Sequence, residues 1–408
     1  MRATATSTLA VIPTAALAVT PIAAAAATAI AAFTRSHARS PAPPLCALTG
    51  ARHHAPMSSD FLGRTTRLAS EPGVFLHQVD LPGRRALLVD LPEAELRRAS
   101  FLDQRALGGA RRDGGWLPLD SVLAQGDALA GRAPQAIFHV GHCGSTLLSR
   151  LLDHLPGALG LREPLVLRVL AEAYEAQHLP TTAWSPAQVD RALASMLGLL
   201  DRRFEDTRHV VVKATSSCNA LVAPWLLRFS EARAVALHIP LRAWLATILK
   251  SPDATADALR FAPSRLAALH TILGRDDLRL HEHGLGEVLA LGWIGECARM
   301  ANLAADAGIA PRLLRLDFEA LLADPRGVLA RVAAHLGIEA PVASLDAACA
   351  AELGRYAKAT EHAYSAVDRA ADLAESQRRF GAEIESGIAL ARRLVAMPAL
   401  ARIANELG

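Results

Sequence analysis

The sequence predicts an α/β fold in which a parallel sheet is flanked by helices, with a mainly helical C-terminal part and a small N-terminal subdomain. Two observations support this prediction. From Ala136 onward, short apolar runs alternate with helical stretches, a pattern typical of buried parallel strands covered by helices. The first apolar run leads into residues 141–146, where two glycines and two hydroxyl side chains stand directly before a leucine-rich helical stretch.

The apolar runs predict the strands, and the stretches between them predict the helices. Strands are predicted at 136–140, 209–213, 233–238 and 312–316. Helices are predicted near 144–155, 164–176, 186–202, 217–229, 241–250 and 286–307. Asp324 and Pro325 predict one more helix start, because aspartate caps a helix and proline suits its first position, and Gly337 predicts its end. We expect residues 134–408 to form this α/β domain.

Residues 57–133 are expected to form a small α+β region with a packing or substrate-shaping role. Two short strands are predicted at 74–79 and 86–89, around the turn Leu81-Pro82-Gly83. A short helix is predicted at 92–100. The glycine-rich, charged stretch 108–115 is predicted to be a loop.

Residues 1–56 are rich in alanine and low in complexity, and no acidic side chain occurs before Asp60. Three interpretations stay open. The apolar run 9–33 suits a secretory signal or membrane anchor with Arg2 as its positive end, although two prolines interrupt it. The segment also suits a transit-peptide-like leader, or an overextended gene start upstream of Met57. We expect it to be disordered and exclude it from the fold.

Composition excludes several classes of function. The chain has 408 residues and a formal net charge of +3, which argues against a dedicated nucleic-acid binder. Its cysteines form no CxxC pair and join no histidine cluster, which argues against a disulfide framework, a zinc site or any other metal centre. Buried or incidental thiols indicate a reducing compartment, so we expect a cytoplasmic protein. The five are Cys46, Cys143, Cys218, Cys297 and Cys349.

The strand–glycine–helix segment at 137–152 indicates an anion site. Backbone N–H groups at a helix N-terminus attract phosphate, and glycine lets the ligand approach closely. Ser145 and Thr146 add hydroxyl donors. The loop departs from the nucleotide-kinase motif, because Ser145 stands where that motif has lysine and His139 stands at its first glycine.

The same segment resembles the 5′-phosphosulfate loop of sulfotransferases that use 3′-phosphoadenosine 5′-phosphosulfate (PAPS), a Lys or Arg followed by Ser-Gly-Thr-Thr and Leu or Trp. The run from Gly144 to Leu147 matches this pattern, Cys143 replaces the serine, and His142 stands at the basic position. The resemblance implies the P-loop sulfotransferase fold, closest in pattern to the bacterial and protein-tyrosine branches. It also implies that Gly141, Cys143, Gly144, Ser145 and Thr146 bind PAPS as co-substrate.

Two further landmarks of the family imply catalytic residues. Glu163, 21 residues after His142, resembles the carboxylate that serves as general base, which must lie within hydrogen-bond reach of the acceptor hydroxyl. Lys213 ends an apolar strand and resembles the lysine that faces the transferred sulfate. Protonated His142 would share this work. Thr215 stands where cytosolic members place a histidine, which makes Glu163 more necessary.

The landmarks of the 3′-phosphate pocket are only partly matched. Arg242 and Thr247 lie in a run similar to the family's Pro-Arg-Ala-Trp segment and are the expected contacts, whereas Ile239 stands where an arginine is usual. Trp293 and the stretch 314–325 are similar to structural segments of the family. Lys358, His362 and Arg369 lie where relatives close over the nucleotide. The likeness covers residues 134 to about 370.

The main hypothesis is a sulfotransferase that moves a sulfuryl group from PAPS to a hydroxyl or amine of a small-molecule, peptide or glycan acceptor. The alternatives are a nucleotide-binding protein of this fold with impaired catalysis, motivated by His142 and Ile239, and a small-molecule P-loop kinase. Neither a nucleic-acid partner nor a membrane partner is expected, unless residues 9–33 form an anchor. The acceptor and the oligomeric state are not encoded in any recognisable pattern.

Overall fold

The computed structural model of the chain describes residues 59–107, 113–359 and 361–407. The interpretations of residues 1–56 lie outside this described part, as does most of the loop predicted at 108–115. Helices dominate, and strands form two separate sheets. In chain order the strands are β1 Val74–Asp80, β2 Arg85–Asp90, β3 Gly114–Pro118, β4 Gln135–His139, β5 Ala158–Arg162, β6 His209–Lys213, β7 Ala234–His238 and β8 Leu313–Asp317.

The α-helices precede, connect and follow these strands. They are α1 Ser59–Leu68, α2 Glu93–Arg98, α3 Leu119–Asp127, α4 Ser145–Asp153, α5 Val166–Ala176, α6 Pro186–Leu200, α7 Val222–Arg228, α8 Leu241–Leu249, α9 Pro252–Arg260, α10 Ala262–Leu273, α11 Leu285–Leu303, α12 Phe318–Ala323, α13 Pro325–Leu336, α14 Val342–Glu352 and α15 Ala366–Val395. Short 3₁₀ segments include Ser216–Leu221 before α7 and Pro398–Glu406 after α15.

The larger sheet has five strands in the order β5-β6-β4-β7-β8, and every neighbouring pair is parallel. After central β4 the chain runs to the edge strand β5, returns to β6 beside β4, and then crosses to β7 and β8 on the other side. Because the order reverses around β4, the carboxyl end of β4 is a topological switch point. Such points are where open parallel sheets bind ligands.

Alternating side chains of β4 serve two hydrophobic cores, as expected for a central strand buried on both faces. Ile137 packs in one core with leucines of α4 and with α8, α11 and α13. Phe138 packs in the other core with α5 to α7 and with the smaller, antiparallel sheet β1-β2-β3. The N-terminal region therefore covers one face of the parallel sheet.

Most of the predicted elements are confirmed. The four predicted strands of the main sheet are β4, β6, β7 and β8, and the predicted hairpin is β1 and β2. The side chain of Asp324 accepts the N–H of Gly327 at 2.9 Å and so caps α13, which ends at Gly337 with φ 74°.

Two strands were not predicted. In β5 a glycine and an arginine interrupt the apolar run, yet Arg162 is fully buried because its guanidinium donates to Asp153 Oδ2 at 2.5 Å and to the carbonyl of Arg97 at 2.9 Å. In β3 Gly114 and Gly115 start a strand where a loop was predicted to end. Among the described helices, none is both long and apolar enough to cross a bilayer.

Candidate functional site

The carboxyl ends of β4, β5 and β6 bring the two predicted catalytic charges together. Lys213 ends β6 in register with Ile137 of β4 and Arg162 of β5. Glu163 follows β5, and its N–H donates to the carbonyl of Lys213 at 2.7 Å. The Lys213 ammonium also forms a salt bridge with Glu163 Oε1, and their side chains are only 1% and 10% exposed. A buried, charged pair thus lies at the sheet edge where a ligand is expected.

The second oxygen of Glu163 faces Arg168. Its Oε2 lies 3.7 Å from Arg168 Nη2, while Arg168 Nε donates to Thr215 Oγ1 at 3.3 Å. The backbone of Glu163 has φ 56°, a left-handed conformation that costs energy outside glycine. Such a strained backbone persists only where the surrounding structure holds it in place, and it is found most often at functional sites.

The glycine loop lies beside this pair, at the carboxyl end of β4. Gly141, His142 and Gly144 have φ values of 87°, 51° and 73°, so three of its positions are left-handed. The loop ends at α4, whose first residues are Ser145 and Thr146. The hydroxyl of Thr146 is buried without a hydrogen-bond partner, although such groups are normally paired. An orphaned donor at a helix N-terminus fits an anionic ligand there.

Gly144 is confined from behind by an aromatic ring. A Cβ at this position would lie 1.9 Å from Phe318 Cε2, so no side chain fits. Phe318 begins α12, and the guanidinium of Arg369 covers its ring at 5.4 Å from the centroid. The close approach explains why glycine stands here.

His139 and Trp244 support the loop through hydrogen bonds to its first glycine. The Gly141 N–H donates to His139 Nδ1 at 2.9 Å, so the proton is assigned to Nε2, which then donates to the carbonyl of Ala214 at 2.8 Å. Burial, reinforced by the charge of Lys213, holds the pKa of His139 well below its usual value and keeps the ring neutral. Trp244 Nε1 donates to the carbonyl of Gly141 at 3.0 Å.

His142 does not carry the positive charge that was expected of it. Burial, followed by the charges of Lys358, Lys213 and Lys250, lowers its pKa to about 3. The ring is therefore neutral near pH 7 in this structure, and its protonation beside a bound phosphate stays a prediction. The neighbouring Cys143 is a thiol rather than a thiolate, because burial raises its pKa to about 12, and its Sγ donates to the carbonyl of Leu237 at 3.4 Å.

No family model matches the chain, and no curated protein is similar to it. Solved structures do match. The sulfotransferase STF1 of Mycobacterium tuberculosis H37Rv has 15% identity and a TM-score of 0.36, over 79% of this chain and 91% of that one. STF9 of Mycobacterium avium has 12% identity and a TM-score of 0.34, over 81% and 98%. The sulfotransferase domain of the curacin biosynthetic pathway has 14% identity and a TM-score of 0.32, over 68% and 98%.

These three matched structures are sulfotransferases, and their identity to this chain is 12 to 15%. The sequence motifs around Gly144 resemble the same group of proteins.

The predicted 3′-phosphate contacts Arg242 and Thr247 are engaged elsewhere. The Arg242 guanidinium binds Glu385 of α15, and Thr247 Oγ1 donates to the carbonyl of Ala243 at 2.8 Å. Among the described residues, neither side chain makes a hydrogen bond to the loop 141–146. Ile239 is 1% exposed in the hydrophobic core, so it takes no part in binding an anion.

The segment after Lys213 leads into a 3₁₀ turn and connects the central strand to α11. Thr215 precedes the 3₁₀ segment without a capping side-chain bond. Asn219 instead donates to the carbonyl of His139 at 3.0 Å and to Glu296 Oε2 at 2.8 Å, which connects β4 to α11. The sequence analysis predicted neither this connection nor the hydrogen bonds by which His139 and Trp244 hold Gly141. The residues were visible in the motifs, but apart from Gly141, which is two positions from His139, their partners lie 75 to 103 positions away in the chain.

Proposed function

We propose that the chain is a PAPS-dependent sulfotransferase that transfers a sulfuryl group to an acceptor hydroxyl or amine by in-line displacement. The buried pair of Lys213 and Glu163 beside the glycine loop carries this proposal. An ammonium and a carboxylate next to an anion-binding loop supply the two charges that sulfuryl transfer needs. One stabilises the leaving oxygen, and the other takes the acceptor's proton.

In the proposed reaction the acceptor oxygen or nitrogen attacks sulfur while the bond from sulfur to the 5′-phosphate oxygen breaks. Adenosine 3′,5′-bisphosphate leaves, and Glu163 accepts the proton. Lys213 would move from Glu163 toward the bridging oxygen as charge develops there. That movement frees Glu163 Oε1, which is bound to Lys213 in the structure, to act as base.

The loop supports binding of the phosphosulfate end of PAPS. The N-terminus of α4 provides backbone donors and a positive dipole end, and Thr146 provides a buried hydroxyl without a partner. Because Cys143 and His142 are neutral, neither adds a positive charge to that of Lys213.

The test is turnover by Glu163→Gln with labelled PAPS and a set of phenol, alcohol and amine acceptors. We expect the wild type to release adenosine 3′,5′-bisphosphate, and the variant to lose about 10²-fold or more of this rate, as for loss of a general base. Calorimetry should show that the variant still binds adenosine 3′,5′-bisphosphate, because the substitution removes a negative charge near an anion.

Glu172→Gln is the matched control, because Glu172 is exposed on α5 and the change in charge is the same. Its rate should equal that of the wild type. If Glu163→Gln kept the full rate, Glu163 would not be the base. If the wild type bound neither PAPS nor the bisphosphate, the proposed function would be wrong.

A nucleotide-binding protein with impaired catalysis is the second candidate. Neutral His142 and apolar Ile239 favour it, because each replaces a cation that was expected to contact phosphate. Tight binding of adenosine 3′,5′-bisphosphate by the wild type, with no transfer to any acceptor, would support this candidate over the first.

A further inference from the structure

The three lysines of this chain converge on the glycine loop. The chain has 43 basic Lys and Arg side chains, and only Lys213, Lys250 and Lys358 are lysines. All three are the charges that lower the pKa of His142, after burial. Arginine serves at every other basic position, so the retained ammonium groups lie around one site. A lysine binds a phosphate as a compact point charge, whereas arginine binds it through a planar fork.

We propose that Lys358, on the loop between α14 and α15, binds the 5′-phosphosulfate end of the nucleotide and supplies the permanent positive charge that the glycine loop lacks. This inference rests on the proposed function. It adds a nucleotide-binding residue that the loop motif did not contain. Lys213 and Lys358 would then hold the anion from two directions, one from the sheet edge and one from the C-terminal loop.

The loop that carries Lys358 is fixed to the helix that follows the glycine loop. Arg150 of α4 donates from Nε to the carbonyl of Ala357 at 2.7 Å. Ala357 packs against the core that contains Val140 and Leu147. These contacts place the backbone next to Lys358 directly against α4.

A second set of contacts holds the loop from its other side. Tyr356 N–H donates to the carbonyl of His362 at 2.8 Å, which closes the loop into a short hairpin. Tyr364 Oη donates to Asp372 Oδ2 at 2.9 Å, and Lys250 forms a salt bridge with the same carboxylate. Lys250 thus positions the loop, while the charge of Lys358 acts on Lys213 and Glu163.

Lys358 is half-buried, and no carboxylate among the described residues lies within salt-bridge distance of it. Burial lowers the pKa of its ammonium, the charge of Lys213 lowers it further, and Glu163 acts in the opposite direction. The ammonium groups of Lys213 and Lys358 repel each other, and the single carboxylate of Glu163 does not offset both charges. The site therefore favours an added anion. A bound phosphosulfate would relieve this repulsion.

The experiment measures the affinities of three nucleotides for the wild type and Lys358→Met by calorimetry. Adenosine 3′,5′-bisphosphate, adenosine 5′-monophosphate and adenosine 3′-monophosphate differ only in their phosphates. We expect the variant to bind the first two about tenfold or more weaker, the loss expected for one charge-assisted contact. Its affinity for the 3′-monophosphate should stay within about twofold of the wild type, a difference well below one such contact.

Lys358→Arg should retain most of the affinity, since the positive charge is kept. Arg355→Met is the matched control, because it removes one exposed positive charge from the same loop. It should leave all three affinities unchanged. Thermal unfolding of each variant checks that the loop substitutions leave the fold intact.

Two outcomes would overturn the inference while leaving the proposed function in place. In one, Lys358→Met binds all three nucleotides as the wild type does. In the other, it loses affinity for the 3′-monophosphate and not for the 5′-monophosphate, which would assign Lys358 to the 3′-phosphate. A wild type that binds none of the three would overturn the proposed function and this inference together.

Discussion

Two features of the structure require glycine at position 144. Its φ of 73° favours glycine, and the Phe318 ring occupies the space that a Cβ would take. The ring cannot easily move away, because Arg369 covers its other side and is itself bound to Glu319. The glycine loop therefore requires a residue without a side chain at position 144.

We predict that Gly144→Ala lowers the free energy of unfolding by about 3 to 5 kcal/mol, because overpacking of up to about 3 kcal/mol adds to the cost of the left-handed backbone. Gly274→Ala is the control, since Gly274 also has a positive φ of 65° but a Cβ there would meet no heavy atom within 4 Å. That substitution should cost only about 1 to 2 kcal/mol, the cost of the left-handed backbone alone. Urea unfolding measures both, and equal losses would show that the Phe318 contact is unimportant.

At the scale of elements, α8 supports the glycine loop from behind the sheet edge. Trp244 Nε1 donates to the carbonyl of Gly141, and Trp293 of α11 makes a comparable buried bond from Nε1 to the carbonyl of Ile239 at 3.1 Å. Both indoles are 1% exposed. Only Trp244 contacts the loop through its hydrogen bond, which makes the two residues a natural comparison.

Trp244→Phe and Trp293→Phe should therefore have similar effects on stability and different effects on binding. Each removes one buried donor, for which we expect a loss of about 1 to 3 kcal/mol in the free energy of unfolding. Trp244→Phe should also weaken adenosine 3′,5′-bisphosphate about tenfold, the equivalent of about 1.4 kcal/mol, because it loosens Gly141. Trp293→Phe should leave that affinity unchanged. Equal binding by both variants would contradict the supporting role of Trp244.

The sequence allowed the strands β4, β6, β7 and β8 to be predicted because each is a short apolar run between helices. It did not reveal β5, because Arg162, although fully buried, gives this edge strand the sequence pattern of a polar turn. The Glu163 and Lys213 positions were assigned by motif, but their contact depends on the order β5-β6-β4, which local patterns do not contain. The charge state of His142 could not be predicted from the sequence either, because it depends on burial and on lysines that are distant in the chain.

Across the whole molecule, buried histidines make stability depend on pH. Burial lowers the pKa of six of them below the usual 6.5, and one of these values is about 3, for His142. An unfolded histidine takes up a proton near pH 6.5, so unfolding binds protons as the pH falls and stability decreases. The six are His77, His139, His142, His209, His238 and His335.

We predict that the denaturant midpoint falls when the pH is lowered from about 7.5 to about 5.5, the window in which unfolded histidines become charged. Glu175 and Asp201, whose pKa values are raised by burial, oppose the trend at its acidic end. His142→Gln should reduce the pH dependence, whereas His178→Gln, at an exposed position, should leave it unchanged. A midpoint that is the same at both pH values would contradict the prediction.

One side chain, Arg150, has a consequence for synthesis of the chain. It donates to Ser100 Oγ at 2.8 Å and to the carbonyl of Ala357 at 2.7 Å, contacts that span 50 and 207 positions. The glycine loop emerges early from the ribosome, but the loop that carries Lys358 emerges about two hundred residues later. A nascent chain stalled before residue 358 should therefore lack part of the proposed nucleotide site even if its parallel strands have begun to pair. The proposed binding site would be complete only after residue 358 has been synthesised, when both distant segments can bond to Arg150.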